Sequence, residues 1–252
     1  MTRPLIAANW KMHKTVREST DFMEGLIKAF AQPTDRDIVV APPFTAIHAV
    51  SKIARGTAVG IAAQNMFWEK EGAYTGEISA PMLVEAGCEY VIIGHSERRR
   101  CFGEDDPGIN RKIKKALEFG LRPIFCLGES LEEREGGKTF PVIERQIREG
   151  LNNIPTNDIE RIIIAYEPVW AIGTGKTATP DQAEQAHFFI RTEMAKICGK
   201  EMASRLAIIY GGSVSPANIG GLMAEPDING ALVGGASLDL ESFIRIVRFD
   251  RP

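Results

Sequence analysis

A carboxylate at the end of an apolar run is the first residue of this chain that could do chemistry. Glu167 follows Arg161-Ile162-Ile163-Ile164-Ala165-Tyr166 and precedes Pro168-Val169 and the small-residue stretch Trp170-Ala171-Ile172-Gly173-Thr174-Gly175-Lys176. An acid beside apolar groups has its pKa raised towards the range where a general base is useful. A loop stiff at its ends and small in its middle suits a lid that excludes water from such a base. The competing reading is a strand-end acid paired with a Lys or Arg; the proline and the glycines favour the base.

Two other residue types add to it. His95 follows Val91-Ile92-Ile93-Gly94 and precedes Ser96-Glu97-Arg98, which opens a helical turn. A ring nitrogen at a helix amino terminus is expected to have a lowered pKa, leaving a neutral imidazole that can donate to a carbonyl and carry protons. The alternative is a histidine satisfied by backbone groups. Lys11, in Ala8-Asn9-Trp10-Lys11-Met12, is either an ordinary solvated lysine or, beside that base and imidazole, a charge for a developing anion. Asn9 stands where it can hold the lysine or substrate oxygens.

Glycine turns occur at Gly173, at Gly211-Gly212-Ser213 and at Gly234-Gly235-Ala236-Ser237. Bare amides near helix amino termini bind phosphate, so two such turns on adjacent strands point to a phosphorylated ligand. Gly173-Thr174-Gly175-Lys176-Thr177 also looks like the end of a nucleotide-binding P-loop. However, Trp170 stands where that motif needs its first glycine, and the helix cap falls later, at Thr179. A nucleotide-binding protein is the rival class.

These residues need elements to bring them together. Apolar runs cover Leu5–Ala8, Ile38–Ala41, Val59–Ala63, Tyr90–Ile93, Pro123–Leu127, Ile162–Ala165, Leu206–Ile209 and Gly230–Val233. Each is apolar at consecutive positions, the mark of parallel strands buried on both faces. Helix-like stretches separate them. Thr179-Pro180-Asp181-Gln182 carries a capping box with a first-turn proline, Ser215-Pro216-Ala217-Asn218 repeats the cap-then-proline order, and Asp105-Asp106-Pro107 places acids at a helix start. Eight such units with no linker predict an α/β protein, a single (β/α)₈ TIM barrel over 1–252, with a doubly wound open sheet as the alternative. In a barrel, Asn9, Lys11, Gln64, His95, Glu129, Glu167, Ser213 and Gly234-Gly235 all follow strands and converge on one face.

Composition narrows the partners. Thirty Lys and Arg against thirty-three Asp and Glu leave a formal charge of -3, without the basic footprint of a nucleic-acid binder. No run reaches the roughly 18 apolar residues of a membrane span. Cys88, Cys101, Cys126 and Cys198 are scattered, without metal-ligand spacing, and read as free thiols of a cytoplasmic protein. No metal or cofactor is expected.

The residues resemble the triosephosphate isomerase family. The match rests on Ala8-Asn9-Trp10-Lys11-Met12, Gln64-Asn65, Gly94-His95-Ser96-Glu97-Arg98-Arg99, Ala165-Tyr166-Glu167-Pro168-Val169-Trp170, Tyr210-Gly211-Gly212-Ser213-Val214 and Leu232-Val233-Gly234-Gly235-Ala236-Ser237. The resemblance implies interconversion of dihydroxyacetone phosphate and D-glyceraldehyde 3-phosphate, in glycolysis and gluconeogenesis. It casts Glu167 as base, His95 as proton carrier, and Lys11 with Asn9 as charge partners. Amides at Gly173, Ser213, Gly234 and Gly235 would grip the phosphate under a lid at Val169–Thr177. Glu97 matches a family site residue, with a plain salt bridge as the alternative. A homodimer is implied, with Thr75 of the loop Phe67–Glu77 reaching the partner's site. An isomerase of a four-carbon sugar phosphate would use the same grip. Two departures, His13-Lys14 after Met12 and Asn229 for a common aspartate, are expected to lie away from the chemistry.

Overall fold

The computed structural model describes residues 3–32, 34–172 and 177–250. Its strands are β1 (Leu5–Asn9), β2 (Asp37–Ala41), β3 (Val59–Ala63), β4 (Tyr90–Ile93), β5 (Arg122–Leu127), β6 (Ile163–Tyr166), β7 (Ile208–Tyr210) and β8 (Gly230–Val233). All neighbours pair in parallel, and β1 pairs with both β2 and β8, so the sheet closes into a barrel. The open-sheet alternative is thereby removed.

The consecutive apolar runs have a direct cause. Alternate strand residues, among them Leu5, Ala7, Val39, Ala41, Ile92, Ile124, Cys126, Ala165, Ile209 and Leu232, pack together as one cluster inside the barrel. Residues between them, such as Ile6, Ala8, Ile38, Val40, Ile93, Phe125 and Ile164, pack in a second cluster with helical side chains such as Leu26, Ile113, Ile147 and Ile190. Both faces of each strand are out of water, and burying an aliphatic side chain contributes about 1.5–3 kcal/mol, so neither face can be polar. Where β8 begins, a Cβ on Gly230 would land on the Leu5 carbonyl oxygen, so the two strands can close only on a glycine.

Helix starts follow the sequence in two of three places. Thr179 caps Pro180–Cys198 with a capping box to Gln182, and Asp105 caps Asp106–Glu118 through the Gly108 amide. Ser215 does not cap a helix. The Asn218 side chain accepts from the Ser215 amide, forming a turn, and the helix starts at Ile219. Two strands are also displaced from their runs. Ile162 closes a turn onto Ile159, and Leu206 closes one onto Ala203, whereas Tyr166 and Tyr210 pair with each other and extend β6 and β7. Asn229, the departure before β8, accepts from the Ile208 amide and from Arg191 through Oδ1, tying β7 to the helix Pro180–Cys198. Among the described residues, no helix is long and apolar enough to cross a membrane.

Candidate active site

The carboxyl ends of the strands surround a cavity of about 540 Å³. Asn9, Lys11, His95, Glu97, Glu167, Ser213, Gly234 and Gly235 all line it, so residues from five strand ends share one space. Gly173 lies outside the described residues, as does most of the middle of the expected lid. Thr75 is exposed on its loop and does not line this cavity. His13 does line it, which corrects the expectation that this departure lies away from the chemistry.

Glu167 is 1% exposed. Its amide donates to the Leu127 carbonyl, fixing its backbone to β5. Oε2 accepts from the Ser96 amide at 2.8 Å, and Oε1 lies 3.0 Å from His95 Nε2 without an aligned hydrogen bond. A Cβ on Gly211 would come within 2.9 Å of Glu167 Cγ, so the turn after β7 is bare because the acid passes over it.

His95 caps the helix Ser96–Phe102: its Nδ1 accepts from the Glu97 amide at 3.2 Å. A ring nitrogen that accepts carries a lone pair, which leaves the proton of neutral imidazole on Nε2, facing Glu167. The direction of the pKa differs from the expectation. Burial pulls it down, but the carboxylates of Glu167 and Glu97 outweigh burial, and the net shift is upward. Lys11 has a left-handed backbone, φ 52°, and its amide donates to Asn9 Oδ1. Gln64 Nε2 donates to the Lys11 carbonyl, and Lys11 Nζ meets Glu97 Oε1 at 2.7 Å. Burial pushes the Glu97 carboxyl up, but the hydrogen bond and charge of Lys11 prevail and hold it below its usual range. Across the cavity, the Ser213 and Gly235 amides donate to no other described group.

The triosephosphate isomerase family model matches residues 4–250. The chain is 54% identical over 249 residues to the triosephosphate isomerase of Geotalea uraniireducens, covering 99% of each chain. It is 55% identical to that of Syntrophotalea carbinolica over 99% of each chain, and 51% identical to that of Chloroflexus aurantiacus over 99% of this chain and all of the relative. The chain belongs to the triosephosphate isomerase family.

Triosephosphate isomerases are aldose–ketose isomerases, and the nucleotide-cradle reading of Gly173–Thr177 loses its support. Several residues that shape this isomerase site were not singled out from sequence. Glu129, noted only as a strand-end acid, is fully buried and accepts from Tyr166 Oη, Trp170 Nε1 and Arg134 Nη1. Its carbonyl accepts from the Val169 amide, so the turn Val169–Ala171, where the lid was expected to start, is fastened to the end of β5. The Ser96 amide, which holds the Glu167 carboxylate, has no signature in sequence. Gln146 did leave a trace: at helical spacing it falls on the apolar face formed by Val142, Ile143 and Ile147.

Proposed function

We propose that the chain interconverts dihydroxyacetone phosphate and D-glyceraldehyde 3-phosphate, a step of glycolysis and gluconeogenesis, through an enediolate. The observation carrying the reading is the buried Glu167 carboxylate beside His95 Nε2, in one cavity with Lys11 and the free amides of Ser213 and Gly235. Glu167 leaves Ser96 and His95 to take a proton from the carbon next to the carbonyl, and the electron pair moves onto the carbonyl oxygen. His95 Nε2–H hydrogen-bonds that oxygen and moves protons between the two oxygens. Glu167 then returns its proton to the neighbouring carbon, so no proton is gained or lost overall. As the carboxylate moves off, the charge that raises the imidazole pKa goes with it, which favours the neutral ring.

Lys11 offsets the charge of phosphate and enediolate, with Asn9 and Glu97 fixing its backbone and ammonium. The Ser213, Gly234 and Gly235 amides hold the phosphate, with Gly173 joining when the lid closes. The small phosphorylated sugar is the only ligand the reaction needs.

A homodimer is part of the same reading. A second cavity, about 470 Å³, shares Asn9, Lys11, His95 and Glu97 with the first and is flanked by exposed Met12, Phe44 and Phe102. The partner's Thr75 loop fits that space. A cytoplasmic location accords with four free cysteines. The test is Glu167→Gln. Turnover of the two triose phosphates is expected to fall by about 10³-fold or more, with inorganic phosphate still binding. Retained turnover would show that another residue is the base. Comparing kcat/KM for three- and four-carbon phosphates checks the substrate length.

A further inference from the structure

Behind the base, one buried side chain holds a piece of backbone. The helix Thr139–Gly150 turns Val142, Ile143, Gln146 and Ile147 inward. Gln146 is 4% exposed among these aliphatic neighbours. Its Oε1 accepts from the Gly128 amide at 2.8 Å, and its Nε2 donates to the Gly128 carbonyl at 3.2 Å. One carboxamide thus satisfies both polar groups of one residue, as a paired strand would. A buried peptide group left without such a partner is strongly disfavoured, because it has given up water for nothing.

Gly128 is where the end of β5 touches the base. Its φ is 153°, and a Cβ there would land on the Glu167 carbonyl oxygen, so its backbone lies directly against that of Glu167. On one side of Gly128, the Leu127 carbonyl accepts from the Glu167 amide. On the other, Glu129 receives Tyr166, Trp170 and Arg134. At the end of the β5–β6 ladder, these two fastenings therefore flank the residue that Gln146 grips.

We propose that Gln146 is a positioning residue: through Gly128 it sets where the Glu167 carboxylate stands. This rests on the reading of Glu167 as the base. It separates two parts of the site. The amides that face the phosphate follow β7 and β8, which Gln146 does not touch, so its loss moves the base without loosening the grip.

Gln146→Met keeps the length and bulk but can make neither bond. Its kcat is expected to fall about 10- to 100-fold, the scale of a misplaced catalytic group. KM and the inhibition constant of inorganic phosphate stay within about 2-fold, because the phosphate grip is separate. Unchanged kcat, or kcat and phosphate affinity lost together, overturns the proposal. Gln146→Glu gives a second arm that does not depend on the methionine variant folding. Its ionised carboxylate accepts from the Gly128 amide but faces the Gly128 carbonyl with a second acceptor. Protonated, it matches glutamine bond for bond. Its kcat relative to wild type should therefore rise as the pH is lowered from about 8 to about 6, because burial raises a carboxyl pKa into that range. A ratio that does not change with pH counts against the proposal. Glu167→Gln is assayed alongside. If it keeps turnover, the base is misassigned; if it loses turnover while both Gln146 variants keep wild-type kcat, only the role of Gln146 fails.

Discussion

The Glu167 carboxylate, proposed above as the base, lies almost wholly out of water, held by one amide and set 3.0 Å from one imidazole. At the scale of single residues, this arrangement depends on what is missing as much as on what is present. Gly211 leaves the path that Glu167 Cγ needs, and Gly234 leaves room for the Lys11 side chain, whose Cε would lie 3.3 Å from an added Cβ. Gly211→Ala pushes directly on the base. Its kcat is expected to fall about 10²-fold with the barrel still folded, measured by steady-state assay beside circular dichroism. Wild-type kcat would mean the carboxylate does not pass over this turn. His95 shows a second residue-scale lesson. Its helix-end position gives Nδ1 a hydrogen-bond donor, but its pKa answers to the carboxylates beside it as well.

Elements act here by fastening one strand end to the next. The β5 end holds the β6 end through Leu127 and Glu129, and the turn Val169–Ala171 follows β6 immediately afterwards. Glu129 is the common acceptor for Tyr166, Trp170 and Arg134, and burial pushes the Tyr166 hydroxyl pKa well up, keeping it a neutral donor. Glu129→Ala removes that acceptor from a dry site. A loss of about 3–5 kcal/mol in unfolding free energy is expected in urea titrations, the range for breaking a buried ionic network. A loss below about 1 kcal/mol would place this fastening among ordinary surface pairs.

For the whole molecule, burial between the barrel and its helices couples stability to pH. His187 packs edge-on to Tyr166 at 5.8 Å, and burial drives its pKa down from 6.5 to about 3. The unfolded chain therefore binds the proton more readily, and this histidine's contribution to stability is lost as the pH falls from about 6.5 towards about 3. Glu184 works the other way: burial raises its pKa to about 7, so protonating it favours the folded state as the pH falls from there towards 4.5. Comparing wild type with His187→Gln in urea isolates the first effect. The difference between them should change by up to about 1.4 kcal/mol per pH unit below pH 6.5, and a constant difference would refute the assignment. Assembly belongs to the same scale. Met12 is 94% exposed beside the second cavity. Met12→Glu is expected to convert a dimer into a monomer by sedimentation and to lower activity about 10-fold or more, because Lys11 and His95 border that cavity. A wild-type protein that sediments as a monomer at micromolar concentration removes the dimer from the mechanism.

Much of this was legible in the chain itself. Strands buried on both faces must be apolar at every position, so runs such as Tyr90–Ile93 and Gly230–Val233 coincide with β4 and β8. Capping is local, so Thr179 and Asp105 announced their helices. Closure into a barrel then carries residues as distant as Asn9 and Gly235 to one cavity. What tertiary structure alone decided involves partners without a sequence signature. The Ser96 amide that holds Glu167 is backbone, and the grip of Gln146 on Gly128 joins a helix to a strand end eighteen positions away. The net direction of the His95 pKa sums burial with charges that arrive from the ends of β1, β4 and β6. Local propensity is written residue by residue; a close approach, and the electrostatics that depend on it, exists only once the chain has closed.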